Sequence, residues 1–448
     1  MEEKDIIRVI GDMNLWGREI DTGIYRQDYV ERVVKFAGSG EIVAVVGPRR
    51  SGKTTICLQA LKEMVKGGMD KTQTLYVNFE DPALETILTG PEAMETIYRS
   101  YKMLVNRDKE SVLVLDEVQN VPKWEKWVRK MQDRKETKII VTGSTSKLLS
   151  SEISTVLTGR TLSVFVFPLG FRDFLKFRGV EVNKEYESLS MENELNALLR
   201  EYMEFGGFPK VAIEKDKVIK KMLLKEYFDG IIFRDIVQRY KIKDVVLIRN
   251  LAELCINQMS SMTSATKMRE VLIKIAMRKI SGNRVVNYMS YLENCFLVFF
   301  VPIFSYKVKN QKLYPKKAYS VDTGIANSVA FRFSEDVGRA AENLVFTHLK
   351  KLSFEKNFEI FYWKDSEQSE VDFVVKRGLN VESLFQVCWD IRDAKTKERE
   401  IKAITKAMDA FKLANGTVIT GGFEGEEEIG NKKVQFVPIW KFLLGNFV

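Results

Sequence analysis

Histidine occurs once in this 448-residue sequence, at His348, and cysteine four times. One histidine excludes a His/Asp dyad, a histidine pair and a multi-histidine zinc site. Cys57, Cys255, Cys295 and Cys388 stand far apart, which excludes a CxxC metal or redox motif and fits a reducing cytoplasm. Prolines number nine, and no internal repeat or low-complexity tract interrupts the chain. No stretch reaches the roughly 18 unbroken apolar residues of a membrane helix. The opening MEEKDIIRVIGD is acidic and amphipathic, unlike a signal peptide. The expectation is a soluble cytoplasmic protein without a membrane partner.

What is present is globular: 45% hydrophobic and 29% charged residues, over a length that suggests two or three domains. The net charge is +9 and is unevenly placed. Residues 201–330 hold 22 Lys/Arg against 12 Asp/Glu, and the rest of the chain is close to neutral. A basic middle points to an anionic partner, nucleic acid first; a solvated lysine surface is the alternative.

Residues 1–40 read as helical. Continuous apolar strands then alternate with helical patterns: EIVAVVG (41–47), TLYVNF (74–79), SVLVLD (111–116), KIIVTG (138–143) and TLSVFVF (161–167). Strands apolar on both faces and separated by helices predict a parallel α/β sheet covered on both sides. Residues 170–260 read as mostly helical. Short helices follow, then strand CFLVFFVPIF, a polar turn SYKVKNQK, and strand LYPKKAYSV. From about Val337 a small α/β unit begins, with strands EIFYW, EVDFVV, LFQVCW and TVIT.

GPRRSGKT (47–54) fits GxxxxGK[ST] between a strand and a helix, the context that gives the pattern meaning. Gly47, Pro48, Arg49, Arg50, Ser51, Gly52, Lys53, Thr54 and Thr55 would surround the phosphates of ATP. Backbone N–H groups turn inward and the helix directs its positive end at them. Lys53 would reach the β- and γ-phosphates, and Thr54 with Asp116 would hold Mg²⁺. Asp116 ends an apolar strand, and Glu117 is placed to orient or deprotonate the attacking water. The order of strands suits the class in which a later strand is inserted between the two motif strands. Its polar tip, Thr142-Gly143-Ser144, would face the γ-phosphate, with Ser144 the candidate sensor; a plain turn serine is the alternative.

These pieces resemble a known family: archaeal and bacterial AAA-type P-loop ATPases with a winged-helix unit and a C-terminal restriction-endonuclease-like domain of unknown function. Besides the loop, the resemblance rests on YVNFEDP (76–82), LDEVQNVPKWEKWVR (115–129), VTGSTSKLLSSEISTVLTGRT (141–161), FPLGF (167–171), FGGFP (205–209), IIFRDIVQRY (231–240), YSVDTG (319–324) and EVDFVV (370–375). It implies an ATPase core at 1–168, a helical lid with a winged helix at 169–330, and an endonuclease-like domain at 331–448. Arg160, in LTGR, would steady the transferred phosphate, from a neighbouring subunit of a homo-oligomer or in cis; a packing arginine is the alternative. Glu80 and Asp81 lie at the carboxyl end of the second strand, with no specific role assigned.

Endonuclease-like sites combine a helix carboxylate, a hairpin Asp and Glu-x-Lys on the next strand around Mg²⁺. Here Glu342 and Asp372 take the first two places. Gln386-Val387-Cys388 takes the third, so a carboxylate and the lysine are replaced and a vestigial, non-cutting site is expected. TSATKMREVL (263–272) and SGNRVVNYMSYLEN (281–294) have helix-turn-helix spacing. Ser281 is a plausible N-cap, with Asn283, Arg284 and Tyr288 on or near the exposed face. Lys307, Lys309 and Lys312, followed by Lys316 and Lys317, would form a cationic wing contacting DNA. The expected function is a Mg²⁺-dependent ATPase whose nucleotide state drives or controls DNA binding. The alternatives are a signalling ATPase acting on a protein partner and an ATP-regulated nuclease.

Overall fold

The computed structural model describes residues 3–84, 92–107, 109–146, 160–182, 187, 190–329, 336–445 and 447. The Ser144–Gly159 stretch of the family resemblance therefore falls largely outside the described residues. The chain divides into two compact units, Met1–Val166 and Phe167–Val448.

In the first unit, β1 (Ile42–Val46), β2 (Thr74–Asn78), β3 (Ser111–Asp116), β4 (Thr137–Gly143) and β5 (Thr161–Phe165) form one sheet in the order β2-β3-β4-β1-β5. Every pairing is parallel. β1 and β3 are buried along their whole length, which is why their sequences show no alternation. Val43 and Val45 pack in a core with Tyr29, Val30 and Val33 of the helix Gln27–Ala37 and Ile56, Ala60 and Leu61 of the helix Lys53–Lys66. β4 lies between β1 and β3, as the sequence suggested. It holds their carboxyl ends apart by about 10 Å, two strand spacings, and opens a crevice there.

The first 40 residues are not simply helical. Between the helices Glu3–Gly11 and Gln27–Ala37 an irregular segment seals the edge of the sheet. The Asn14 amide accepts from Tyr76 N at 2.7 Å and donates to Tyr76 O at 2.8 Å, and Trp16 Nε1 donates to Thr74 O at 2.9 Å. Edge groups of β2 are thereby paired without a further strand.

In the second unit, helices occupy 171–177 and most of 192–257, with a π-helical stretch over Ile231–Gln238. β6 (Ser261–Thr263), β7 (Val298–Val301) and β8 (Lys316–Ser320) make an antiparallel sheet ordered β6-β8-β7. It sits beside the helices Val245–Asn257, Ala265–Ala276 and Gly282–Asn294. Where a plain hairpin turn was expected, a short helix, Val308–Leu313, joins β7 to β8. The segment has no glycine to support a tight hairpin. Gln311 Nε2 instead donates to Ser305 O at 2.7 Å and closes a helical turn.

β9 (Glu359–Lys364), β10 (Glu370–Arg377), β11 (Asn380–Cys388), β12 (Asn415–Thr420), β13 (Gly425–Ile429) and β14 (Lys432–Pro438) form a mixed sheet ordered β13-β14-β12-β11-β10-β9. The β13–β14 hairpin was missed. Its signal is Gly430-Asn431, with Gly430 at φ 62°, between EEEI and KKVQFVP. The segment before and after the short helix is bonded to β9. Phe304 N donates to Tyr362 O at 2.6 Å, Tyr362 N to Pro302 O at 3.1 Å, and the Tyr362 hydroxyl to Pro315 O at 2.5 Å. The Phe304 ring lies in the C-terminal core, 4.8 Å from Phe411. Both stems of the 305–315 connection are thus rooted on the edge strand of the C-terminal sheet.

FGGFP and YSVDTG meet at Asp322. Its carboxylate accepts from Gly207 N at 2.7 Å and Ile325 N at 3.1 Å. Gly206 has φ +73°, and a Cβ there would lie 2.0 Å from Asp322 Oδ1, so only glycine fits.

Candidate functional site

The loop 47–52 leaves the buried end of β1 and turns into the helix Lys53–Lys66. Gly47 passes so close to the backbone just after β5 that a Cβ would sit 2.1 Å from Val166 O. Gly52, at φ +95°, supplies the left-handed residue before the helix. The Lys53 ammonium donates to Gly47 O at 3.1 Å and Pro48 O at 3.2 Å, and lies 3.5 Å from Glu117 Oε1. Arg49 makes a two-pronged bond to Glu80 at 2.7 and 3.0 Å, which gives Glu80 a role the sequence did not supply. Buried Arg26 supports the loop from behind, donating to Ser51 O at 3.0 Å.

Asp116, at the end of β3, is the centre of the site. Oδ2 accepts from the Thr54 hydroxyl at 2.7 Å and the Tyr76 hydroxyl at 2.7 Å; Oδ1 accepts from the Thr142 hydroxyl. Burial raises its carboxyl above the usual range, Glu117 next to it adds to the rise, and the three hydroxyls oppose both. Glu117 has φ 50°. Its N–H donates to Thr142 Oγ1 at 3.0 Å, and its carboxylate accepts from Gln119 Nε2 at 2.5 Å. The left-handed turn thus presents the two adjacent carboxylates to different partners.

Thr54 and Asp116 are therefore in direct contact, and Lys53 and Glu117 face each other. Two partners were missed. Tyr76 lay unmarked in YVNFEDP, and Thr142 was named only as part of a strand tip. The register shows why both arrive: β2 and β4 flank β3, and Asn78 pairs with Asp116 and Val141 with Leu115. Ser144 is buried one residue beyond Gly143, which pairs with Val46 at the root of the loop.

Arg160 stands elsewhere. Its carbonyl accepts from Ile42 N at 2.9 Å, at the amino end of β1, and its guanidinium pairs with Asp133. The loop is at the other end of the same strand, so Arg160 does not reach the phosphate site of its own chain.

The donor set fits a nucleotide with a divalent cation. Ser51 Oγ is fully buried in the loop with no hydrogen-bond partner among the described residues, and the Thr54 hydroxyl and Asp116 carboxylate sit together as oxygens that could hold such a cation.

A second cluster forms in the C-terminal sheet. Glu342, on the helix Val337–Lys356, and Asp372, on β10, come together, but around Lys317 rather than with Gln386. Gln386 accepts from Asp372 N at 3.0 Å and donates to Glu400 at 2.7 Å. Lys317 is therefore not a wing residue: it is buried, whereas Lys307, Lys309 and Lys312 are exposed. No sequence signal linked Lys317 to carboxylates more than twenty residues away. Ser281 does cap its helix, accepting from Arg284 N at 3.3 Å. Arg284 is exposed, with Asp244 at 3.7 Å. Lys220, one of the basic residues of the middle, is buried against Glu201.

Residues 39–175 match the AAA domain family. Residues 196–336 and 337–442 match two domains of unknown function, DUF8612 and DUF4143. The uncharacterized protein MJ1544 of Methanocaldococcus jannaschii is 38% identical over 410 residues, 90% of this chain and 88% of that one. An uncharacterized protein of Haemophilus influenzae is 25% identical over 417 residues, 93% and 98% of the two chains. Among solved structures, C. elegans PCH-2 matches at 12% identity and a TM-score of 0.26, over 66% of this chain and 71% of that one; so weak a likeness carries no argument. Among the described residues no helix is long and apolar enough to cross a membrane.

Proposed function

The chain belongs to the same family as MJ1544 and carries an AAA-type ATPase domain, and we propose that it is a Mg²⁺-dependent ATPase whose nucleotide state controls DNA binding through its basic middle segment. The observation that carries the ATPase reading is the contact of Thr54 with Asp116 beside the Lys53–Glu117 pair. Lys53 would exchange two carbonyl partners for phosphate oxygens. Bound Mg²⁺ would neutralise developing charge on the phosphates. Glu117 would take the proton of the attacking water, with Lys53 and Gln119 holding its carboxylate and Ser144 at the adjacent strand tip as sensor. Arg160 would act on the phosphate of a neighbouring copy, since it stands at the other end of β1 from its own loop.

The DNA role draws support from the order β6-β8-β7 behind the capped helix Gly282–Asn294, an arrangement that suits a winged helix. Exposed Lys307, Lys309 and Lys312 add the charge for phosphate contacts. A specific observation favours a second reading, docking of a protein partner. The same connection exposes Tyr306 (82%) and Leu313 (69%), large side chains of the kind found in protein interfaces. ATP turnover measured with duplex, forked and single-stranded DNA and without DNA tests the choice. Stimulation by DNA is expected; turnover indifferent to every form would shift the reading to the protein partner.

A further inference from the structure

Lys317 is a cation almost without solvent: its side chain is 3% exposed. Its ammonium lies 2.6 Å from Asp372 Oδ1, 2.7 Å from Glu370 Oε1 and 3.1 Å from Glu342 Oε1. A lysine has three N–H donors and no acceptor; here it donates to Asp372 and Glu342 and is ion-paired with Glu370. Glu370 and Asp372 are alternate residues of β10 and project to one face. Glu342 comes from the helix Val337–Lys356, and the Tyr319 hydroxyl donates to its Oε1 at 2.7 Å. Asp372 is fixed from behind, accepting from Val387 N at 2.9 Å through Oδ2.

Three carboxylates gathered around one point would repel each other in a protein interior unless a cation filled it. A single positive charge also leaves the group short. Oxygen ligands from rigid elements converging on one point are what a hard divalent cation requires. An ammonium and such a cation would compete for the same place; as the side chains stand, no group of three or more His, Cys, Asp or Glu among the described residues, this one included, is arranged to hold a metal ion.

We propose that the Lys317 ammonium is the resident cation of a carboxylate site suited to a divalent ion, delivered from β8, so that the C-terminal sheet is closed to metal by the chain itself and opens to Mn²⁺ or Mg²⁺ when that lysine is removed. The same contact fastens β8, the strand after the exposed basic connection, to the C-terminal sheet. The proposal rests on this cluster and not on the ATPase or DNA readings.

The test uses the full chain without nucleotide. Mn²⁺ binding is followed by electron paramagnetic resonance in wild type, Asp372→Asn, Lys317→Met and Lys317→Met/Asp372→Asn. The single Lys317→Met variant is expected to gain one bound Mn²⁺ per chain, and the double variant to lose it. Wild type and Asp372→Asn should bind alike. Thermal melting runs alongside: Mn²⁺ should raise the melting temperature of Lys317→Met and not that of the double variant. Mn²⁺ bound by wild type and removed by Asp372→Asn would overturn the proposal, whatever the fate of the lysine variant. So would a folded Lys317→Met protein that takes up no Mn²⁺, or an unfolded one that Mn²⁺ does not restore.

Discussion

Among the described residues lysine meets buried carboxylate twice, and the two meetings differ in what the ammonium touches. In the first unit Lys53 spends its bonds on the carbonyls of Gly47 and Pro48, with Glu117 no nearer than 3.5 Å. In the second, Lys317 donates to Asp372 at 2.6 Å and Glu342 at 3.1 Å and is ion-paired with Glu370 at 2.7 Å. Bonds to ionised acceptors are roughly twice as strong as bonds to neutral ones. A phosphate can therefore displace the carbonyls around Lys53, whereas little can compete for Lys317. Asp116 shows the same contrast from the acid side. It is held by three neutral hydroxyls, which leaves it able to face a cation, while Asp372 already has one. The same residue types give an open site in one place and a closed one in the other.

The largest effect is expected from asking whether the open cluster is complete within one chain. Arg160 is at the far end of β1 from the loop, so its contribution requires a second copy. Arg160→Ala should lower turnover by about 10³-fold, the low end of the arginine-finger range, with ATP affinity little changed. Wild-type turnover per chain should rise with protein concentration. Turnover independent of both concentration and Arg160 would make the single chain sufficient.

Lys53→Ala probes the open lysine itself. Losing a positioned donor to developing phosphate charge should cost ~10²–10³-fold in turnover, and nucleotide binding, read by fluorescent ATP titration, should weaken with it. The fold should survive, because only two carbonyl bonds are lost. A melting temperature that drops sharply would mean that Lys53 is structural, like Lys317.

Asp372→Asn probes the closed one. Removing a charged hydrogen-bond partner from Lys317 should destabilise the protein by roughly 2 kcal/mol, measured by denaturant unfolding, without changing ATP turnover. Incubation of wild type with Mg²⁺ or Mn²⁺ and varied DNA should give no nicking above this variant. Nicking that depends on Asp372 would show the closed cluster to be a working site.

These contrasts were unequally visible in the sequence. The open site was legible almost residue by residue, because GPRRSGKT and VLVLDE are short local patterns that a parallel sheet must bring together. The insertion of β4 between β1 and β3 could be anticipated for the same reason. Tyr76 and Thr142 were not singled out, since a hydroxyl on a flanking strand finds Asp116 only through register. The closed site was half legible. Glu342 and Asp372 stood at recognisable positions, but the lysine that joins them belongs to β8, 55 residues from Asp372. Its neighbours in sequence made it look like one more surface cation. The 305–315 connection was misread as a hairpin for a related reason. Alternating lysines suggested a solvated turn, while the stems at Pro302–Phe304 and Pro315 were already committed to Tyr362.

The smallest effect concerns the cations that do remain on the surface. Replacing Lys307, Lys309 and Lys312 by Ala should weaken DNA binding alike for all sequences. It should also flatten the salt dependence by up to about one unit per lost phosphate contact. Arg284→Ala, on the capped helix, should alter preference among sequences instead. Anisotropy titrations across salt concentration read both. Equal affinity of the triple variant and wild type at every salt would move the exposed connection to the protein-docking reading.

The account turns on Glu117, the carboxylate beside the open lysine. The most direct measurement is ATP binding and hydrolysis by Glu117→Gln, an isosteric change that removes the base and keeps the shape. The expected result is ATP bound as tightly as by wild type and hydrolysed ~10²–10⁴-fold more slowly, the range for a lost general base. Turnover equal to wild type would contradict the assignment and leave the pair Lys53–Glu117 as a structural contact.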